Sequence, residues 1–191
     1  RSFHVTGVQT CALPILLFSA TVLFMSMINI DLHRILPIKA NYNSLTSDAQ
    51  RQVTCLADNI YFEAAQEPLD GKKAVAFVTI NRVLTGNYAD NICDVVHQKT
   101  GHTCQFSWYC DKSFTDRRLT IRGTSLYNEI RELATNIVVN FERMTDVTDG
   151  ATYYHADYVR PGWKLDKVDQ IGRHIFYKRK GDEIDRNREF Y

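Results

Sequence analysis

The stretch NIYFEAAQEP, Asn59 to Pro68, sets one carboxylate, Glu63, inside a run of apolar and small residues. Upstream of it, Val53, Leu56, Ala57, Ile60 and Ala64 recur at spacings of three and four, which predicts one apolar helical stripe. Thr46 or Ser47 can cap that helix, and Pro68 ends it, because the residue before a proline is pushed out of the α region. Glu63 follows Ile60 by three and Leu56 by seven, so it projects from the stripe or its edge. Helix-edge charges are common, and the pattern alone admits a purely structural acid.

Outward from this helix, Asp70 and Gly71 form a turn or cap, and Lys72 to Leu84 reads as a buried helix. Asn81 and Arg82 are its polar exceptions. A short amphipathic helix is expected around Ile92, Val95 and Val96. CQFSWYC alternates and is aromatic, which predicts a short strand or hairpin. Leu126, Ile130, Leu133, Ala134, Ile137 and Phe141 share one face of a further helix, capped by Thr124 or Ser125. ATYYHADY and RHIFYKR read as β-like segments, and GDEIDRNREFY as a solvated tail. Helices first, then a small β element, a helix and β-like ends fit an α+β domain rather than repeating βαβ units.

The chain has 191 residues, 45% of them hydrophobic and 12% aromatic, enough for one domain with a core. Lys plus Arg number 23 and Asp plus Glu 22, so no global charge argues for nucleic acid. Val5 to Ile15, VTGVQTCALPI, matches the translation of a common sequencing adapter and, with residues 1–4, is set aside from the fold. Residues 16–30 are uncharged and apolar, and read as the remainder of a signal peptide or membrane anchor, an inner-membrane tether. Residues 31–44 look like a linker, 45–180 like the folded domain and 181–191 like a polar tail. Without Cys11 the cysteines are Cys55, Cys93, Cys104 and Cys110, an even set that suits export to the periplasm or cell envelope.

CLADNIYFEAAQEPLDGKKAVAFVTINRV, CDVVHQ, QFSW, ATYYHADYVRPGW and IGRHIFYK occur in the order found in SleB-type cell-wall hydrolases, the spore-cortex-lytic enzymes and their phage or bacterial relatives. The chain resembles that family over Gln52 to Lys178. The resemblance implies a lysozyme-like, lytic-transglycosylase-type α+β fold, mostly helical with a small β-hairpin. It implies cleavage of the N-acetylmuramic acid to N-acetylglucosamine bond of peptidoglycan glycan strands, without a cofactor. It places the family's catalytic acid on Glu63. Where the family often has GEARGEP, this chain has FEAAQEP, keeping both carboxylates and the proline.

Such an acid must stay protonated near neutral pH, and partial burial would hold it so. Most glycosidases use two carboxylates. A lytic transglycosylase uses one, since the sugar's 6-hydroxyl replaces water. Glu67 is the obvious second acid, read foremost as a helix-end residue bonding the following turn and secondly as a substrate contact. Asp111, Asp149 and Asp157 are other candidates. Gln105, Phe106, Ser107 and Trp108 are candidate substrate contacts, through hydrogen bonds and stacking. Phe106 and Trp108 can equally pack inward. Tyr153 and His155 can border the same groove. His155 and His174 read as structural histidines, and Gly172 as a turn or close-packing residue.

A Cys104–Cys110 disulfide fits an exported domain, with Cys55 and Cys93 as a second bridge or as buried thiols. No C-x-x-C pair or H-E-x-x-H helix supports zinc. Three other readings stand beside the transglycosylase: a hydrolytic muramidase, a non-catalytic peptidoglycan-binding module on the same fold, and an amidase, which would need a metal.

Overall fold

Helix α1, Ser47–Ala64, begins where Thr46 accepts a hydrogen bond from the Ala49 amide through its side chain. This computed structural model describes residues 37–188. The adapter-like stretch, the apolar segment at 16–30, residues 31–36 and the last three residues lie outside the described residues. Among the described residues, no helix is long and apolar enough to cross a membrane.

The stripe of α1 is buried along its length: Val53, Leu56, Ala57, Ile60 and Ala64 all face the core. Helix α1 stops at Ala64, short of Pro68, which instead caps α2, Leu69–Thr85, so Asp70 and Gly71 fall within the first turn of α2 rather than before it. Proline suits that position because its fixed φ is compatible with helix entry. Gly86 then ends α2 in the left-handed conformation. Helix α3, Ile92–His97, is tied to α1 by a disulfide between Cys93 and Cys55 and by the Gln52 side chain accepting from the Cys93 amide at 2.9 Å. Strands β1, Lys99–Thr100, and β2, Thr103–Cys104, make a two-residue-strand hairpin.

CQFSWYC departs from the alternation expected of it. Ser107–Cys110 is a single helical turn, α4. The Cys104–Cys110 disulfide brings Cα atoms six residues apart to 5.8 Å, whereas an extended chain of that length spans about 20 Å. Helices α5, Lys112–Ile121, and α6, Ser125–Asn140, follow, the latter capped by Thr124. The periodicity predicts α6 and misses α5, whose sequence carries no continuous apolar stripe. A three-stranded antiparallel sheet, in the order β3-β5-β4, is built from β3, Tyr153–Ala156, β4, Asp166–Ile171, and β5, His174–Lys178. Its central Phe176 packs on Ala74 and Val78 of α2. Strand β4 puts only Val168 and Ile171 against the core, and a bulge between Lys167 and Asp169 breaks the period of two, which hides it from an alternation argument.

Two segments read as linker and tail are docked. Asn140 presents both amide atoms to Ile38, accepting from its N–H at 2.6 Å and donating to its carbonyl at 3.0 Å. At the other end, Ile184 packs on the core, the Asp185 amide donates to the Leu84 carbonyl, and Arg188 pairs with Asp90. The folded unit therefore starts near Ile38 and includes the polar tail.

Asp58 of α1 is buried, with 3% of its side chain exposed, and is fully engaged. Arg122 donates to it at 2.5 Å and the Tyr127 hydroxyl at 2.7 Å. Arg122→Ala would strand a buried carboxylate. Because the Arg122 side chain is 39% exposed, the expected loss is about 2 kcal/mol, below that of a fully buried pair, read from urea denaturation midpoints.

Candidate active site

Glu63 occupies the last turn of α1, beside a cleft of about 210 Å³. The cleft is lined by Glu63, Arg82, Tyr154 and the loop from Cys104 to Ser107. Of these residues, Glu63 alone carries a carboxylate. Burial pushes its carboxyl above the ordinary range, opposed first by the Tyr154 hydroxyl and then by the charge of Arg82. The negative end of the α1 dipole acts in the same direction as burial.

Tyr154 donates its phenolic proton to Glu63 Oε2 at 2.9 Å. Burial, and then the neighbouring carboxylate, hold the Tyr154 phenol well above its usual range, so it remains a donor. The ring is fixed from behind by His174, edge-on at 5.1 Å, and by Phe176 at 5.7 Å. Burial lowers the His174 pKa, which suits a neutral packing residue.

Arg82 explains the polar interruption of α2. It is buried, its Nε donates to the Thr152 carbonyl at 2.8 Å, and its guanidinium lies 5.0 Å over the Phe106 ring. The Gln105 carboxamide oxygen faces Arg82 and accepts from both terminal guanidinium nitrogens at 3.2 Å. Its amide nitrogen is thereby free to turn toward the cleft as a donor. Asn81 does parallel work, donating to Asp146 at 2.8 Å and to the Ala151 carbonyl at 3.1 Å. Together the two residues pin the loop that delivers β3, and with it Tyr154, to Glu63.

The structure brings together Glu63, Gln105, Phe106 and Ser107 of the residues singled out from sequence. It separates the others. Trp108 does not face the cleft. It is 3% exposed, its indole N–H donates to Asn59 at 3.0 Å, and its ring stacks on Phe62 at 4.7 Å. Trp108 anchors the loop from the core rather than offering a face to substrate. Glu67 is also engaged elsewhere: its Oε2 accepts from the Arg173 amide in the β4–β5 turn at 3.0 Å. Tyr153 and His155 project from the opposite side of β3 to Tyr154, because neighbouring strand residues alternate faces. Tyr153 packs on Trp163, and His155 bonds Tyr177. Asp111 caps α5, Asp149 pairs with Lys178 and Asp157 with Arg173, and none of them lines the Glu63 cleft.

Arg82 and Tyr154 are the site residues that sequence reading passed over. A buried cation inside an apolar helix was the available signal for Arg82. For Tyr154 the signal was parity, since only one face of YYH can meet Glu63.

Residues 66–177 match the family described as Cell Wall Hydrolase. The chain belongs to the cell wall hydrolase family. That match holds Arg82, Gln105 and Tyr154 and begins three residues after Glu63. A spore cortex-lytic enzyme of Halalkalibacterium halodurans is 27% identical over 131 residues, 67% of this chain and 35% of the relative. One from Oceanobacillus iheyensis is 26% identical, over 68% of this chain and 42% of its own length. The chain thus spans less than half of these curated relatives. Among solved structures, the catalytic domain of the Bacillus cereus SleB protein aligns with a TM-score of 0.50 and 23% identity, covering 68% of this chain and 91% of that domain. The catalytic domain of the germination-specific lytic transglycosylase SleB from Bacillus anthracis aligns equally, over 71% and 98%. The cell wall hydrolase family member described here shares their α+β fold.

Glu63 and Glu67 differ in kind, and substitution separates them. Gly172 sits at φ 58° with a would-be Cβ 1.9 Å from Glu67 Oε2. Gly172→Ala should destabilise the fold by about 1–2 kcal/mol through left-handed strain and loss of that hydrogen bond. Glu67→Gln should cost less and leave activity largely intact, whereas Glu63→Gln should remove activity and leave the thermal midpoint unlowered. Thermal denaturation alongside turnover on purified sacculi checks both.

Proposed function

We propose that this protein cleaves the glycan strands of peptidoglycan between N-acetylmuramic acid and N-acetylglucosamine, as a lytic transglycosylase with Glu63 as its single acid and base. The observation that carries this reading is a lone cleft carboxylate whose environment favours its protonated form. A hydrolase of the two-carboxylate type would need a second acid across the cleft to activate water.

Tyr154 holds Glu63 Oε2, which leaves Oε1 to carry the transferable proton. Glu63 gives that proton to the bridging oxygen as the bond from the anomeric carbon breaks. The C6 hydroxyl of the same sugar then closes onto the anomeric carbon, and its proton returns to the Glu63 carboxylate. No water is consumed, and the product ends in a 1,6-anhydro ring. The Gln105 amide and Ser107 hydroxyl supply hydrogen bonds suited to acetamido and hydroxyl groups. Arg82 and Tyr154 stabilise the carboxylate that exists between the two proton transfers.

Two disulfides suit an oxidising compartment, so the domain acts outside the cytoplasm, at the cell envelope. The apolar segment at 16–30 would direct it there or tether it to the membrane.

Mass spectrometry of the muropeptides released from purified sacculi tests the reaction. Anhydro ends, one water lighter than reducing ends, are expected. Reducing ends would instead make the protein a muramidase, and retention on sacculi with no released fragment would make it a binding module. Glu63→Gln should bind sacculi without releasing fragments.

Activity requires protonated Glu63 and should fall as pH rises through its pKa. Tyr154→Phe removes a donor that favours the charged form. The alkaline limb of the kcat/KM profile should therefore move to higher pH. An unmoved limb would take Tyr154 out of the proton relay.

A further inference from the structure

Strand β3 has a second face. Tyr153 pairs with Tyr177 and His155 with Ile175 across β3 and β5, and Gln170 of β4 pairs with the same Ile175. These side chains project away from Glu63. His155, Gln170, Ile175 and Tyr177 border a depression of about 300 Å³ with Asp157, Arg160 and Pro161. Trp163, in the connection between β3 and β4, stands over this face, edge-on to Tyr153 at 5.8 Å, His155 at 5.6 Å and Tyr177 at 6.0 Å. It is nevertheless 45% exposed. Four aromatic rings thus gather on this sheet surface, with the Arg179 guanidinium 5.2 Å over the Tyr153 ring.

The polar groups of the depression identify the ligand chemistry. His155 Nδ1 lies 2.8 Å from the Ala156 carbonyl, which can only accept, so Nδ1 carries the proton. Nε2 is then an acceptor, and the Tyr177 hydroxyl donates to it at 2.9 Å. The Tyr177 oxygen keeps its lone pairs for a ligand. Arg160 is engaged with the backbone carbonyls of Asp157 and Val159, and Asp157 with Arg173. One cation and one anion line the depression, and each is already partnered. With one cation and one anion, the lining carries no net charge to select an anionic peptide or phosphate. A neutral ring with one apolar face and many hydroxyls would find aromatic surface, an acceptor at Tyr177 and an amide at Gln170.

We infer that the outer face of the β3-β5-β4 sheet is a second saccharide-binding site, centred on Trp163 and the His155–Tyr177 pair. It holds a neutral sugar unit of the glycan away from the cleft that cleaves it. The inference rests on the proposed glycan substrate and concerns retention on the polymer rather than bond cleavage.

Trp163→Ala should reduce turnover of insoluble sacculi roughly five- to tenfold while leaving turnover of a soluble muropeptide tetrasaccharide unchanged. Trp163→Phe should restore most of the loss. In the Glu63→Gln background, the same Trp163→Ala change should lower retention on sacculi by a similar factor. That second reading needs no catalysis, so it reports on this site even if wild-type protein releases nothing and the proposed reaction fails. An equal loss on both substrates, or unchanged retention on sacculi, would overturn the second site.

Discussion

A carboxylate held at the C-terminal end of a buried helix is the constraint around which this domain is arranged. Glu63 is penalised by burial and by the α1 dipole, and the charged form is only partly compensated. The compensation comes from elements remote in sequence. Arg82 arrives on α2, and Tyr154 on β3, 91 residues away. Both depend on the loop that leads into β3, which Asn81 and Arg82 hold by its side chains and carbonyls. If that loop shifted, Tyr154 would leave Glu63 and the carboxyl would lose its main stabilising donor.

Asp58, one and a half turns earlier on α1, shows the alternative. It is also buried, but it receives Arg122 in direct contact and the Tyr127 hydroxyl as well. A buried carboxylate so paired is committed to holding the fold. Glu63 has one phenol in contact and a guanidinium acting through space. Two acids on one helix are thus separated by partner geometry: Asp58 is held by a guanidinium and a phenol in direct contact, whereas burial raises the pKa of Glu63. The opposing wall is rigid for a related reason. Thr79, Asn59 and Trp108 form a buried chain of hydrogen bonds that fixes the loop carrying Gln105 and Ser107. The Cys104–Cys110 disulfide closes the same loop.

The parts of the fold legible in sequence were those whose chemistry is local. The stripe of α1, the stripe of α6, the Thr46 and Thr124 caps and the β-like ends all follow from periodicity and capping. Glu63 itself stood out because a charge interrupted an apolar pattern. The rest depended on pairings that no local pattern encodes. Trp108 reads equally as a stacking platform and as an inward-packing ring, and the choice falls to Asn59, 49 residues upstream, which accepts its N–H. Strand β4 brings only Val168 and Ile171 to the core, three residues apart across a bulge, and the sequence of helix α5 carries no continuous apolar stripe. The tail from Gly181 reads as polar, yet Asp182 accepts from Thr152 at 2.6 Å and Ile184 reaches the core. YYH was correctly read as β-like, but which of its faces met Glu63 could not be settled without the register of β5.

That register sets which side chain of β3 meets Glu63. A shift of one residue in β3 or β5 would exchange Tyr154 for Tyr153 or His155 at the Glu63 carboxyl, because side chains alternate faces with a period of two. The β4–β5 turn is set by Gly172 in the left-handed region and by the Glu67 carboxylate accepting from the Arg173 amide. His174 follows immediately and packs against Tyr154. The second acid of NIYFEAAQEP thus acts on the site from a distance. Glu63 faces the cleft and accepts the Tyr154 hydroxyl, whereas Glu67, four residues further along the chain, holds the turn from which His174 packs on Tyr154.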